Sequence, residues 1–283
     1  MKQKPILLDG AFGTSLWAKA EAKGYDKVPV WRYNIEHPEL IDELVKEYAA
    51  AGSQMIQANT FGANGPTVKH VSSYTTPQIV KAGVEITKKA LAGTDVKTAL
   101  SIGPLSMLLE PYGDLEEDEC QEYYEEMIGA GMDGGADAVV IETFMDLEMM
   151  KIAASIAVPY GVPVYCMMTF EKSGRTMMGN SVEDVVRALE PIGVAGTGMN
   201  CSLGPDLALP IIQEFAAKTE LPLIYKPNAG LPVSAGGTFA SGCDAVSFAK
   251  AVEPAFDIVS LIGGCCGTDP SYIREISKLL ENR

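Results

Sequence analysis

Histidine is almost missing from this chain of 283 residues: there are two, His37 and His70. His37 stands before Pro38 at a helix start and His70 in a connecting region, so neither ends an apolar run and a histidine-rich metal centre is not expected. Positive charge is also scarce, with 22 Lys and Arg against 37 Asp and Glu and a formal net charge of −15. A surface of that sign speaks against nucleic acid and against anionic membranes as partners. No segment approaches the roughly 20 apolar residues of a membrane span. The opening MKQKPILLDG has too short an apolar run for a signal peptide, and Asp9 interrupts it. No C-x-x-C pair, no low-complexity tract and no change of composition marks a linker or boundary. The expected setting is cytoplasmic and reducing, where grouped cysteines point to metal or catalysis more often than to disulfides.

What is present is a regular alternation of short apolar runs with helical patterns. The runs are PILLDG (5–10), MIQANTF (55–61), TALSIG (98–103), AVVIETF (138–144), VPVYCMMTF (162–170), GTGMNC (196–201), PLIYKP (222–227) and IVSLIG (258–263). Between and after them, helices are expected near 37–51, 77–92, 116–130, from 146, and near 182–189, 206–218, 244–252 and 271–280. In the first, Ile41, Leu44, Val45, Tyr48 and Ala49 share one face. Continuous apolar strands joined by helices imply a parallel sheet covered by helices. Eight units at this length fit an α/β fold of the (β/α)8 TIM barrel type, with residues 1–283 read as a single domain. The Gly/Ser-rich stretch 233–242 reads as a loop.

In such a barrel the reactive groups sit at the C-terminal strand ends. Asp9, Asn59, Glu142, Thr169, Asn200, Cys201, Lys226, Asn228, Cys265 and Cys266 all fall at or just beyond the ends of the apolar runs. The sixth and eighth strands lie two positions apart on the ring, so Cys201, Cys265 and Cys266 can aim three sulfurs at one point. Three thiolates suit zinc and leave a fourth position open, as a catalytic site does. The adjacent pair also admits a strained redox disulfide, and the spacing alone does not choose between the two. Cys120, Cys166 and Cys243 read as small apolar residues.

Six phrases, in order along nearly the whole chain, resemble the homocysteine S-methyltransferase family. They are DGAFGT (9–14), ANTFG (58–62), IETF (141–144), MNCSLGP (199–205), PNAG (227–230) and GGCCGT (263–268). With MTFEKSGRT (168–176), the chain is most similar to the homocysteine-binding module of cobalamin-dependent methionine synthases. The resemblance implies that Cys201, Cys265 and Cys266 bind zinc and act in catalysis through it, with Asn228 as the fourth ligand when substrate is absent. It implies that Asp9 and Glu142 receive the ammonium of homocysteine, that backbone amides of Ala11, Phe12 and Gly13 receive its carboxylate, and that Asn200 belongs to the substrate site. Two carboxylates at one barrel mouth repel, and an ammonium between them relieves this.

The activity so implied is methyl transfer to the thiolate of homocysteine, giving methionine. Full-length methionine synthases carry further modules, so the methyl group is expected from methylcobalamin on a separate corrinoid protein. A small donor such as S-methylmethionine or a betaine is the alternative, and it would call for an aromatic lid, for which Trp17, Trp31, Tyr33 and Tyr112 are available. Two other classes stay open: an aldolase using Lys226 as a Schiff base, and a zinc- or thiol-binding subunit without turnover.

Overall fold

The computed structural model describes residues 4–229, 233–235, 238–240 and 242–283. Its main sheet contains β1 (Ile6–Leu7), β2 (Met55–Gln57), β3 (Lys97–Ile102), β4 (Ala138–Phe144), β5 (Val164–Met168), β6 (Gly196–Asn200) and β7 (Leu223–Lys226). A two-stranded antiparallel ribbon follows, β8 (Val233–Ala235) and β9 (Thr238–Ala240), and then β10 (Leu261–Ile262) completes the sheet. All registered pairs of the main sheet are parallel, in the order β1-β10-β7-β6-β5-β4-β3-β2. That order is the chain order bent into a ring, so the expected (β/α)8 barrel is the fold. The expected loop at 233–242 is corrected where it is described: it contains the β8–β9 ribbon, and residues 236, 237 and 241 lie outside the described residues.

The seam between β1 and β2 is closed by single bonds rather than a ladder. Gln54 donates its backbone N–H to the Leu7 carbonyl at 2.7 Å, and its side-chain oxygen accepts from the Leu7 N–H at 3.0 Å. One layer higher, the Gln57 N–H donates to Asp9 Oδ2 at 2.6 Å, so a carboxylate stands where a strand carbonyl would otherwise accept.

The helices are α1 (Phe12–Ala22), α2 (Tyr33–Glu36), α3 (Pro38–Ala50), α4 (Gly65–Val71), α5 (Thr76–Ala90), α6 (Glu117–Asp133), α7 (Leu147–Ala157), α8 (Val182–Leu189), α9 (Pro205–Lys218), α10 (Ala245–Val252) and α11 (Pro270–Glu281). Eight of them match the sequence expectation closely: five carry side-chain caps at their starts, and α3, α6 and α9, which do not, carry acids in the first turn. Asp146 accepts from the Glu148 N–H, Asp244 from the Ser247 N–H, and Ser181 with Asp184 forms a capping box. Helices α1, α2 and α4 were not among the expected elements. Helix α1 starts at Ala11 with no side-chain cap and no acid in its first turn, which are the signals a reader relies on.

Alternation along the strands decides what fills the barrel. Met55, Ala99, Val140, Met167 and Ile224 pack together in the small interior cluster, while Ile56, Leu100, Val139, Ile141 and Cys166 pack outward under the helices. Two residues further along, the same inward face carries Gln57, Ser101, Glu142 and Lys226. A polar layer thus lies directly above an apolar one. Strands β6 and β7 approach so closely that a Cβ at Gly198 would lie 2.0 Å from the Ile224 carbonyl oxygen. Gly198→Ala is therefore expected to lose about 1–3 kcal/mol of stability. Urea unfolding reads this directly, and an unchanged midpoint and slope would contradict the close approach.

Candidate active site

A cavity of about 380 Å³ opens at the C-terminal end of the barrel. Three kinds of wall meet there: the start of α1 (Gly10 to Thr14), the polar layer (Gln57, Ser101, Glu142, Lys226), and the cysteines Cys201, Cys265 and Cys266.

The three sulfurs lie within 4.8 Å of one another, with Cys201 Sγ and Cys266 Sγ 3.7 Å apart. Local backbone brings them there. Cys201 and Ser202 both adopt left-handed φ, +62° and +54°, immediately after β6. Such non-glycine positions cost about 1–3 kcal/mol each and persist when surroundings enforce them. Here the Cys201 N–H donates to the Lys226 carbonyl at 3.1 Å, the Leu203 N–H to the Cys201 carbonyl at 2.7 Å, and Ser202 Oγ to the Phe170 carbonyl at 2.6 Å. On the other side the Cys265 N–H donates to the Pro227 carbonyl at 2.9 Å, and Thr268 Oγ1 to the Cys265 carbonyl at 2.7 Å. A Cβ at Gly264 would lie 2.4 Å from that same Thr268 oxygen. Gly264 is thus a close-approach position, while Gly267, at φ +81°, supplies the turn after the cysteine pair.

The donor chemistry fits a divalent ion. Hydrogen bonds from Cys265 and Cys266 pull the Cys201 thiol far down. Cys265 and Cys266, facing that thiolate through the same bonds and short of solvent, are pushed up. The trio on its own favours one negative charge, and three adjacent thiolates call for a cation. Sulfurs at a zinc distance of about 2.3 Å in a tetrahedron stand about 3.8 Å apart, close to the separation of Cys201 and Cys266. Beside them Asn228 is buried, its amide touches Cys201, and its Oδ1 has no hydrogen-bond partner among the described residues. A buried acceptor without a partner calls for a reason, and a resident cation would supply one.

Glu142 reaches the cavity from β4. Its Oε1 accepts from Ser101 Oγ at 2.6 Å and from Gln57 Nε2; its Oε2 receives only one long bond, from Asn200 Nδ2 at 3.3 Å. Burial pushes its carboxyl above the ordinary glutamate range, and the Lys226 charge and the Ser101 and Gln57 bonds pull partly back. The next residue, Thr143, is β-branched and held at φ +65°. Asn200 holds it there: its Oδ1 accepts from the Thr143 N–H at 2.8 Å, and its Nδ2 donates to Thr143 Oγ1 at 2.8 Å. The same Nδ2 lies 3.6 Å from Cys265 Sγ. Asn200 is fully buried and spends its amide on Glu142, Thr143 and Cys265, standing behind the cavity wall.

Asp9 is also fully buried and is not part of the wall. Its Oδ1 accepts from Lys226 Nζ at 2.7 Å and its Oδ2 from the Gln57 N–H. Lys226 Nζ donates further to Gln57 Oε1. Burial pulls Lys226 down, but Asp9 and Glu142 together hold it above the ordinary lysine range. A lysine held protonated in an ion pair is the opposite of the depressed, desolvated amine that a Schiff-base enzyme needs.

At the start of α1, the Ala11 N–H is taken by the Thr268 carbonyl at 3.1 Å. Tyr48 OH donates to the Ala11 carbonyl at 2.8 Å and pins the turn. The residues that follow, Phe12 to Thr14, open the helix without a side-chain cap and line the cavity, and the first N–H groups of a helix are suited to a carboxylate. Trp31 and Tyr33 are core residues, Tyr112 is exposed, and of the four aromatics considered for a lid only Trp17 lines the cavity, next to Phe12 and Phe61. Cys120 and Cys166 are buried in the core and Cys243 is half-buried, its thiol donating to the Ala229 carbonyl at 3.3 Å. His37 stacks on Tyr25 with ring centroids 3.7 Å apart, away from the cavity. Gln57 and Ser101 are site residues that the sequence reading passed over. The only signal was a polar residue at an inward position of an otherwise apolar run. No helix among the described residues is long and apolar enough to cross a membrane.

The family described as homocysteine S-methyltransferase matches residues 6–280. The chain is 29% identical over its full length to a methionine synthase of Mycobacterium tuberculosis and 30% identical over 98% of its length to one of Mycobacterium leprae. It spans 25% and 24% of those two proteins, about a quarter of each. Among solved structures it is similar to the homocysteine methyltransferase MmuM from Escherichia coli. The oxidized form gives a TM-score of 0.79 at 26% identity over 98% of this chain and 97% of that one. The apo form gives 0.73 at 25% identity over 98% and 96%.

Proposed function

The chain belongs to the homocysteine S-methyltransferase family, and on that premise we propose that it binds zinc through Cys201, Cys265 and Cys266 and methylates homocysteine to methionine. The observation that carries this reading is the three-sulfur cluster on the wall of a cavity that also holds a buried acid and an uncapped helix start. Each of these matches one group of the substrate: thiol, ammonium and carboxylate. Bound zinc would supply ionisation of the substrate thiol, keeping its sulfur nucleophilic at neutral pH. The chain's own residues do the rest. The N–H groups from Phe12 onward orient the carboxylate, Glu142 holds the ammonium, and Asn200 keeps Glu142 and Cys265 at a fixed separation. Fixing both ends of the substrate aims its sulfur at the cavity mouth, where positioning alone lowers the barrier.

For the donor, the reading favoured is methylcobalamin carried by a separate corrinoid protein. Phe61, Leu108, Tyr112, Met145, Met177 and Leu207 are large apolar residues left exposed, and all lie in βα connections or at a helix start on the rim where the cavity opens. Exposed apolar groups in the connections at the cavity end of the barrel, with Phe61 in the cavity wall itself, support docking of a macromolecule. A second reading has its own observation: Phe12, Trp17 and Phe61 line the cavity and suit a small cationic donor such as S-methylmethionine or a betaine. Parallel assays with zinc-loaded protein, homocysteine and each of methylcobalamin, S-methylmethionine and glycine betaine separate the two. Methionine is expected from methylcobalamin; formation only from a small donor would replace the first reading with the second. Homocysteine bound with no turnover from any donor would favour a non-catalytic subunit.

A further inference from the structure

We propose that Thr268 is a spacer that fixes the distance between the metal-binding turn and the start of α1, and thereby the chain length of the amino-acid thiol that the cavity accepts. The inference rests on the homocysteine reading, which holds the substrate by its sulfur at the cysteines and by its carboxylate at the helix start. Thr268 has no exposed surface and is bonded to both segments. Toward the cysteines, its hydroxyl donates to the Cys265 carbonyl at 2.7 Å and its N–H to the same carbonyl at 3.1 Å. Toward α1, its own carbonyl accepts from the Ala11 N–H at 3.1 Å. A further bond joins the two segments directly, from the Gly264 N–H to the Asp9 carbonyl at 3.0 Å.

The Thr268 side chain fills a gap that two glycines leave open. A Cβ at Gly10 would lie 2.7 Å from Thr268 Oγ1, and the nearest atoms that a Cβ at Gly264 would meet all belong to the Thr268 side chain. Neither glycine brings a spacer of its own, so the Thr268 hydroxyl sets how closely the two turns approach. Buried and bonded to the Cys265 carbonyl, that hydroxyl is held in place. Tyr48 OH on the Ala11 carbonyl holds the start of α1 from the other side. A thiol bound at both ends must span the fixed interval between metal and helix start. Cysteine is one methylene shorter than homocysteine and 2-amino-5-mercaptopentanoate is one longer, while their end groups are the same. Thr268 is not part of the cavity wall, so on this account it is a positioning residue that acts through the turns on either side.

The test measures affinities of zinc-loaded protein for homocysteine, cysteine and 2-amino-5-mercaptopentanoate by calorimetry, with metal content followed alongside. All three present the same thiol, ammonium and carboxylate, so a uniform loss of affinity or of metal leaves their ratios unmoved. The native chain is expected to prefer homocysteine over each neighbour by roughly tenfold or more. Thr268→Ala removes the spacer and should reduce both preferences to about twofold or less. Thr268→Ser keeps the hydroxyl and its bond, and should stay within about twofold of the native ratios. A Thr268→Ala protein that folds, keeps zinc and retains the native ratios would overturn the inference, as would a native chain indifferent to thiol length. Should Thr268→Ala lose its metal or its fold, Gly10→Ala decides, since the added methyl presses on the spacer from the α1 side. A shift of preference toward the longer thiol supports the spacer, and a preference that stays with homocysteine or moves to cysteine overturns it. A native chain that binds none of the three thiols would instead sink the homocysteine reading itself, so the two failures are distinguishable.

Discussion

Cys265→Ser is expected to abolish both bound metal and methyl transfer while leaving the barrel folded, and Cys201→Ser and Cys266→Ser should do the same. A hydroxyl is a far weaker donor to zinc than a thiolate at neutral pH. The loss should therefore exceed the roughly 10–100-fold that removing an outer-shell partner costs. The fold survives because all three cysteines sit in turns beyond the strand ends, above the apolar interior formed by residues such as Val140, Met167 and Ile224. Metal content by atomic absorption, activity, and far-UV circular dichroism on one preparation give the three readouts. Cys166→Ala is the matched control: this thiol is buried under the helices and pushed well above its ordinary range by burial alone. It should cost stability and leave the metal in place. Full occupancy and rate in any of the three serine variants would remove that cysteine from the ligand set.

Glu142→Gln should weaken homocysteine by roughly 30-fold or more, since cutting one partner of a buried, hydrogen-bonded charge pair costs about 2–5 kcal/mol. Zinc should stay bound, because Glu142 touches the cysteine cluster only through Asn200. The pH dependence has a definite sign. Burial pushes the Glu142 carboxyl up, so its protonated form persists to a higher pH than an ordinary glutamate would allow. Only the carboxylate attracts the ammonium. Affinity is therefore full above the raised pKa and is lost as pH falls through it, at a pH above the usual carboxylate range of about 4.3. The glutamine variant should lack this acid limb. Calorimetric titration across pH, with metal content followed in parallel, tests both points. Unchanged affinity in the variant would take Glu142 out of the substrate site.

The barrel itself was legible because it depends on short-range chemistry. Apolar runs such as AVVIETF, caps at Asp146, Ser181 and Asp244, and a βα rhythm repeated eight times are local signals, and the helices they announce were found within a few residues of their expected ends. The cysteine cluster was legible for a topological reason: once the barrel is granted, a turn after the sixth strand and one after the last must stand near each other. Helix α1 was not legible, since it has neither a cap nor an acid in its first turn, buries only Leu16 and Ala20 and so shows no apolar stripe, and is held by contacts such as Tyr48 OH on the Ala11 carbonyl. The roles of Asp9, Gln57 and Lys226 were also hidden. Asp9 and Lys226 are separated by 217 positions, and nothing local to either residue announces the pair.

The sequence by itself determined the class of fold, the three thiols and the presence of acids at strand ends, because periodicity, turn chemistry and residue type are written locally. Only the tertiary structure decided which acid faces the cavity and which is spent on the chain's own lysine. Burial and pairing of charges depend on what other strands bring to the same point in space, and an ion pair formed across a closed ring has no signature in either of the segments that supply it.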